Sequence, residues 1–214
     1  MIPTDSIVFI VDDDEAVRDS LALLLSLNGF ATRVFDSAEH FLAACQPEWA
    51  GCLVLDIRMQ GMDGLELQRT LNARNVRLPI IVITAHGDVA MAREALKAGA
   101  VDFLEKPIDD QLLIANVSIA LDRNLQERSV AARSAEREQK MARLTTRERE
   151  VMLLVAAGKH AREIAAELNI SPRTVEVYKA RMMEKLQVRN VPELIRVVLD
   201  AENAFAKVQV RTAV

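Results

Sequence analysis

An α/β domain followed by a smaller all-α domain is the fold class that this 214-residue sequence predicts. Three observations carry the expectation. Short apolar runs alternate with helical patterns through about residue 122, the signature of successive βα units. From Ile108 to Ala157 there is no glycine or proline, and the chain beyond reads as helix throughout. Charge divides in the same way: residues 1–122 hold 9 Lys+Arg against 19 Asp+Glu, net −10, and residues 123–214 hold 18 against 12, net +6. An acidic half joined to a basic half indicates two domains with different partners, the basic one able to attract nucleic acid. Taken alone, +6 also fits an ordinary solvated surface.

The run Ile7–Val11 reads as a buried strand leading into a helix whose apolar face is Val17, Leu21, Leu24 and Leu25, closed by Asn28-Gly29. Ala31–Phe35 is a second strand, and Ser37 caps a helix through Ala44. Cys52–Leu55 forms the third strand, Gly64–Asn72 a helix, and Ile80–Ile83 the fourth strand. A helix from Asp88 to Ala98 stops at Gly99, before a short fifth strand at Asp102–Leu104 and a fifth helix opening near Asp109. These five βα units predict a doubly wound parallel sheet in the flavodoxin-like order 2-1-3-4-5. Residues 122–143, rich in Arg, Glu, Gln and Ala, are either a solvated helix or a polar linker, and a helical extension is the reading preferred. The divisions expected are therefore 1–122, a linker at 123–143, and 144–205.

In the C-terminal part, Thr145 and Glu148 form a capping box before a helix with the stripe Val151, Leu154 and Val155, ended by Gly158. A short helix carries Ile164, Ala165 and Leu168. Asn169-Ile170 is a turn, and Ser171-Pro172 starts a third helix that runs to about Leu186. Pro192 opens a fourth, and the tail beyond Asp200 lacks a stop signal. The middle pair predicts a helix-turn-helix.

Composition narrows the function classes. Half the residues are hydrophobic, enough for a sizeable core. Cys45 and Cys52 do not make a disulfide framework. No signal-peptide pattern and no apolar run near the ~20 residues of a membrane span is seen. A cytoplasmic protein with no membrane partner is expected. His40 and His160 lack the spacing of a zinc site, and no G-x-S-x-G occurs.

Parallel sheets place chemistry beyond the carboxyl ends of their strands. Those ends carry Asp12 and Asp13, Asp56, Thr84 and Lys106. In the order 2-1-3-4-5 the first and third strands are neighbours, so Asp12, Asp13 and Asp56 converge. Three carboxylates in one cleft repel unless a cation neutralises them, and hard oxygen ligands suit Mg2+. A carboxylate beside magnesium and lysine can attack a phosphoryl group and become an aspartyl phosphate. Lys106 would offset charge on the phosphoryl oxygens and Thr84 would hydrogen-bond one of them. Singly, each residue has a plainer reading: Asp13 or Asp14 capping a helix, Lys106-Pro107 an ordinary loop.

The segments "IVDDDEAVR", "LVLDIRMQGMDG", "IVITAHGD" and "GAVDFLEKP" together resemble the response-regulator receiver family over about residues 5–122. The resemblance implies phosphorylation of Asp56 by a sensor histidine kinase. It implies magnesium ligation by Asp13, Asp56 and the backbone carbonyl of Arg58, with Asp12 acting through water. It also implies Thr84 and Phe103 as a switch pair and Lys106 as the phosphate-binding lysine. Gln60 stands where the family usually has proline, and a glutamine peptide is less restricted in φ. His86, near the pocket mouth, either influences attack of water on the acyl phosphate or is a solvated bystander.

On the third C-terminal helix, 100° per residue puts Val175, Tyr178, Met182 and Leu186 on a buried stripe. The opposite face carries Arg173, Glu176, Val177, Ala180, Arg181 and Glu184, with Thr174 at its N-terminal edge. Arg173 and Thr174 can reach bases and phosphates in a major groove, and Lys179 and Lys185 suit phosphate contact. Docking onto a protein is the other use of such a bundle. The stretch "LTTREREVMLLVAAGKHAREIAAELNISPRTVEVYKARMMEKL" resembles the LuxR-type output domain nearly end to end. With the receiver it implies a FixJ-type regulator whose base contacts come from Glu176, Val177 and Ala180.

Three functions compete. The first is a phosphorylation-switched transcription factor, not an enzyme, with double-stranded promoter DNA, RNA polymerase and a second copy of itself as partners. The homodimer would use helix 88–98 and strand 102–104. The second is an aspartyl-nucleophile phosphatase; those enzymes carry a second carboxylate two residues on, where this chain has Arg58, so turnover on outside substrates is not expected. The third is a protein-binding adaptor, which would give no gel shift with genomic fragments.

Overall fold

The structure, a computed structural model, describes residues 6–85 and 89–199. His86, the start of the fourth helix at Asp88 and the tail beyond Asp200 lie outside the described residues. The chain forms two compact units, Met1–Ser129 and Val130–Val214.

The first unit alternates β1 Ile7–Val11, α1 Glu15–Leu27, β2 Ala31–Phe35, α2 Ala38–Ala44, β3 Gly51–Asp56, α3 Gly64–Ala73, β4 Ile80–Thr84, α4 Val89–Lys97 and β5 Asp102–Glu105, followed by α5 from Asp110. All strand pairs are parallel, in the expected order β2-β1-β3-β4-β5. The central strands β3 and β4 are buried on both faces, which explains why their sequences are continuous apolar runs. Alternate side chains feed two cores. Phe9, Leu53, Leu55 and Val82 pack with Phe41 of α2, Leu67 and Leu71 of α3 and Ala95 of α4. Val8, Ile10, Val54 and Ile81 pack with Leu21 and Leu25 of α1 and Leu113 and Val117 of α5. Each fully buried Leu or Phe contributes roughly 1.5–3 kcal/mol by leaving water.

Caps set where the helices begin. Asp14 accepts from the N–H groups of Ala16 and Val17, Ser37 from His40, and Asp63 from Glu66. Asp14 is therefore the cap of α1, and Asp13 is left to face the strand ends. The helix α5 is continuous from Asp110 to Ala142. Its Asn124, buried, accepts from Gly51 N–H and donates to the Arg77 carbonyl, tying it to the start of β3.

The second unit contains α6 Thr146–Ala156, α7 Ala161–Leu168, α8 Pro172–Leu186 and a further helix at 191–199. Its core is Val151, Met152, Ile164, Val175, Met182, Leu186 and Leu194 among others. Asn169, at φ 54°, closes α7 in the left-handed region that Asn tolerates better than most residues, and Ser171 caps α8 with Pro172 at its first position. Tyr178 is half-buried at the margin of this core rather than inside it, because its ring lies at the edge of the stripe. No described helix is long and apolar enough to cross a membrane.

Candidate functional site

Successive strands deliver their last residues to one end of the sheet. Asp12 follows β1 and is fully buried; Asp56 ends β3 and is 4% exposed; Thr84 ends β4 and is fully buried; Lys106 follows β5. Carboxylate oxygens of Asp12, Asp13 and Asp56 all lie within 4.8 Å of one another. The Lys106 ammonium donates to Asp12 Oδ2 at 2.7 Å and stands 3.3 Å from Asp56 Oδ1. Its own main-chain N–H donates to the Thr84 carbonyl, which sets the β5 end against β4.

The carboxylates are not equivalent. Asp12 is held on every side: Oδ1 accepts the Asp14 N–H, Oδ2 accepts Lys106, and its carbonyl accepts Arg18 Nη1 at 2.7 Å. Asp13 is exposed, and its Oδ2 accepts the main-chain N–H of Gln60. Asp56 Oδ1 is buried, with Lys106 close but not aligned for a hydrogen bond. Burial pushes the Asp56 carboxyl up to about 6 against the lowering pull of the Lys106 charge, and the charges of Asp12 and Asp13 add to the rise. Burial lowers the Lys106 ammonium, but its hydrogen bond to Asp12 and the charges of Asp56 and Asp12 outweigh that and raise it. Three hard-oxygen donors, one orphaned in a buried position, fit a small divalent cation such as magnesium.

Gly64 keeps the loop after β3 against the strand. It opens α3 with its N–H on the Ile57 carbonyl, and a Cβ there would come within 2.3 Å of the Asp56 carbonyl oxygen. No larger residue fits without moving the end of β3. Arg58 lies exposed in this loop.

Thr84 and Phe103 lie on the same face of the sheet, because Val82 pairs with Phe103 and Thr84 is two residues beyond Val82. The Phe103 ring is half-buried against the core of that face. Nearby, Asp102 is turned inward, accepting from its neighbour's N–H and from Asn116 Nδ2. On α4, Arg93, Glu94, Leu96 and Lys97 are exposed, and Glu94 pairs with Arg69 of α3.

In the second unit Arg173, Glu176, Val177, Ala180 and Arg181 are exposed along one side of α8. Thr174 is half-buried, its hydroxyl 2.8 Å from that of Ser171. Lys179 lies 4.0 Å from Glu176. Lys185 differs from the rest: its ammonium is bonded to Glu148 Oε2 at 2.6 Å. Across the two units, the partners that sequence reasoning missed include Gln60 for Asp13 and Glu148 for Lys185. The first was signalled only by a peptide N–H where proline is usual, the second not at all.

Residues 8–118 match the response regulator receiver domain, and residues 142–198 match the bacterial regulatory proteins of the luxR family. The chain is 46% identical over 198 residues to the transcriptional regulatory protein FixJ of Azorhizobium caulinodans, covering 92% of this chain and 94% of that one. It is 45% identical to FixJ of Rhizobium meliloti, covering 92% and 96%. The solved structure of the response regulator StyR is similar at a TM-score of 0.89 and 42% identity, covering 92% of this chain and all of that one.

Proposed function

Because this chain belongs to the response regulators that join a receiver domain to a LuxR-type DNA-binding domain, we propose that it is a transcriptional regulator switched by phosphorylation of Asp56. The observation that carries the reading is Lys106 bridging Asp12 and Asp56 inside a three-carboxylate pocket. As the carboxylate, Asp56 attacks the phosphorus of a phosphohistidine on a sensor histidine kinase. The new O–P bond forms as the P–N bond breaks, and the electron pair leaves with the imidazole nitrogen. Lys106 offsets charge on the transferred group, and the Thr84 hydroxyl donates to one of its oxygens. Asp13, Asp56 and the Arg58 carbonyl would hold magnesium, with Asp12 acting through water, and the cation supplies further neutralisation of those oxygens. Asp12 suits the indirect role because both its oxygens already accept hydrogen bonds.

Thr84 drawn toward the phosphoryl group leaves room behind β4 for Phe103, which shares its sheet face, to turn further inward. That alters the surface of α4 and β5, where Val89 and Leu96 are exposed apolar residues among charges, and favours a two-fold homodimer. Two α8 helices then reach half-sites of promoter DNA about one helical turn apart, and RNA polymerase is the downstream partner. Arg173, Thr174, Glu176, Val177 and Ala180 face the bases, while Lys179 and Arg181 approach phosphates. In this reading the receiver spans 1–122, the linker 123–143 and the DNA-binding domain 144–205, and the protein acts in the cytoplasm. The test is acid-labile labelling by acetyl phosphate: Asp56→Asn abolishes it, and equal labelling of that variant overturns the reading.

A further inference from the structure

Lys185 occupies the last turn of α8, on a flank where helical position alone would assign it to a DNA phosphate. Its ammonium instead meets the carboxylate of Glu148, which is 3% exposed. The same Glu148 Oε2 accepts the main-chain N–H of Thr145 at 2.8 Å and its hydroxyl at 3.0 Å. One oxygen thus joins the N-terminal cap of α6 to the C-terminal turn of α8, 37 residues apart in sequence. Burial pushes the Glu148 carboxyl up, but the bonds from Lys185 and Thr145 outweigh it and hold it below its ordinary value. A buried carboxylate so engaged cannot release its counter-charge cheaply, since the loss leaves an unpaired charge in the core. Among the described residues, Arg173, Lys179 and Arg181 have no such buried anchor, and Lys179 has the exposed Glu176 4.0 Å away.

We infer that Lys185 is a positioning residue: it fixes the angle of α8 on α6 through Glu148 and makes no contact with DNA phosphate. The inference rests on the reading of α8 as the DNA-recognition helix. It divides the basic residues of α8 into two physical classes. Residues that neutralise phosphate release counterions, and each contributes about 0.9 to the slope of log affinity against log salt. A strut contributes nothing to that slope, whatever it does to affinity at one salt concentration.

The experiment is fluorescence anisotropy of the full-length protein with a random-sequence duplex of about 30 base pairs over a salt series, alongside thermal unfolding without DNA. Lys185→Ala is expected to weaken binding while the slope stays that of the parent, and to lower the melting temperature of the C-terminal unit by roughly 12 °C or more. Glu148→Gln is expected to reproduce both effects, and the double variant to be no worse than either single one. Lys179→Ala is the comparator, expected to lower the slope by about 0.9 with the melting temperature unchanged. A slope reduced by that amount in Lys185→Ala, with its melting temperature intact, overturns the inference. If the parent itself binds no duplex at any salt, the DNA-binding reading fails. The melting data still decide the strut, because additive losses in the double variant would refute it.

Discussion

The main-chain N–H of Gln60 donates to Asp13 Oδ2 at 3.0 Å, a bond that a proline at position 60 would not form. It binds the loop after β3 to a carboxylate of the acidic pocket and takes part of the negative charge offered to a cation. Gln60→Pro is expected to tighten magnesium binding by about 1 kcal/mol, roughly fivefold, because Asp13 regains a full carboxylate. Gln60→Ala keeps the N–H and should match the parent. Isothermal titration with magnesium checks both; equal affinities in the parent and the proline variant would sink the idea.

Lys106 neutralises a buried carboxylate as well as facing Asp56. With the ammonium gone, the fully buried Asp12 carboxylate loses its partner on Oδ2, and among the described residues the Asp14 N–H is the donor left to it. Lys106→Ala should therefore cost about 3 kcal/mol in urea unfolding at pH 7 without metal, the scale for breaking a buried pair from one side. An unchanged midpoint would show that Asp12 is satisfied in some other way.

Acid should unfold the C-terminal unit through Glu148. Its folded-state value is held below the ordinary 4.5, so the folded form binds fewer protons than the unfolded form in this window. The stabilisation is complete above 4.5 and is lost as pH falls through the lowered folded value. Melting curves from pH 7 to about pH 3 should show this descent in the parent, and Glu148→Gln should start lower and fall less. Parallel curves for the two proteins would assign the acid transition to other groups.

Val89 and Leu96 are 76% and 47% exposed, one heptad apart on α4. Beryllofluoride, a phosphoryl mimic, is expected to drive the full-length protein to a dimer in sedimentation equilibrium, and Leu96→Asp to weaken that dimer by about 1–3 kcal/mol. A protein that remains monomeric with the mimic would reject the α4–β5 surface as the switch.

Local physics made much of this molecule legible. Five apolar runs alternating with 3.6-residue periodicity are sufficient for five βα units, and the chain order of a doubly wound sheet brings the ends of β1 and β3 together. Caps such as Thr145 with Glu148 and Ser171 before Pro172 act within four residues, so the sequence alone places those helix starts. Periodicity identifies which face of a helix is buried, as it did for Val175, Met182 and Leu186. It does not say what a charged side chain at the margin will meet. Gln60 with Asp13, Lys106 with Asp12, and Lys185 with Glu148 are pairs 47, 94 and 37 residues apart. Their geometry depends on how whole elements pack, which is also what half-buries Phe103 of β5 against one of the two receiver cores. The sequence by itself determined the elements and the residues at their ends; only tertiary packing chose the partner of each charge, because a salt bridge needs atoms a few ångströms apart and no local pattern encodes that distance.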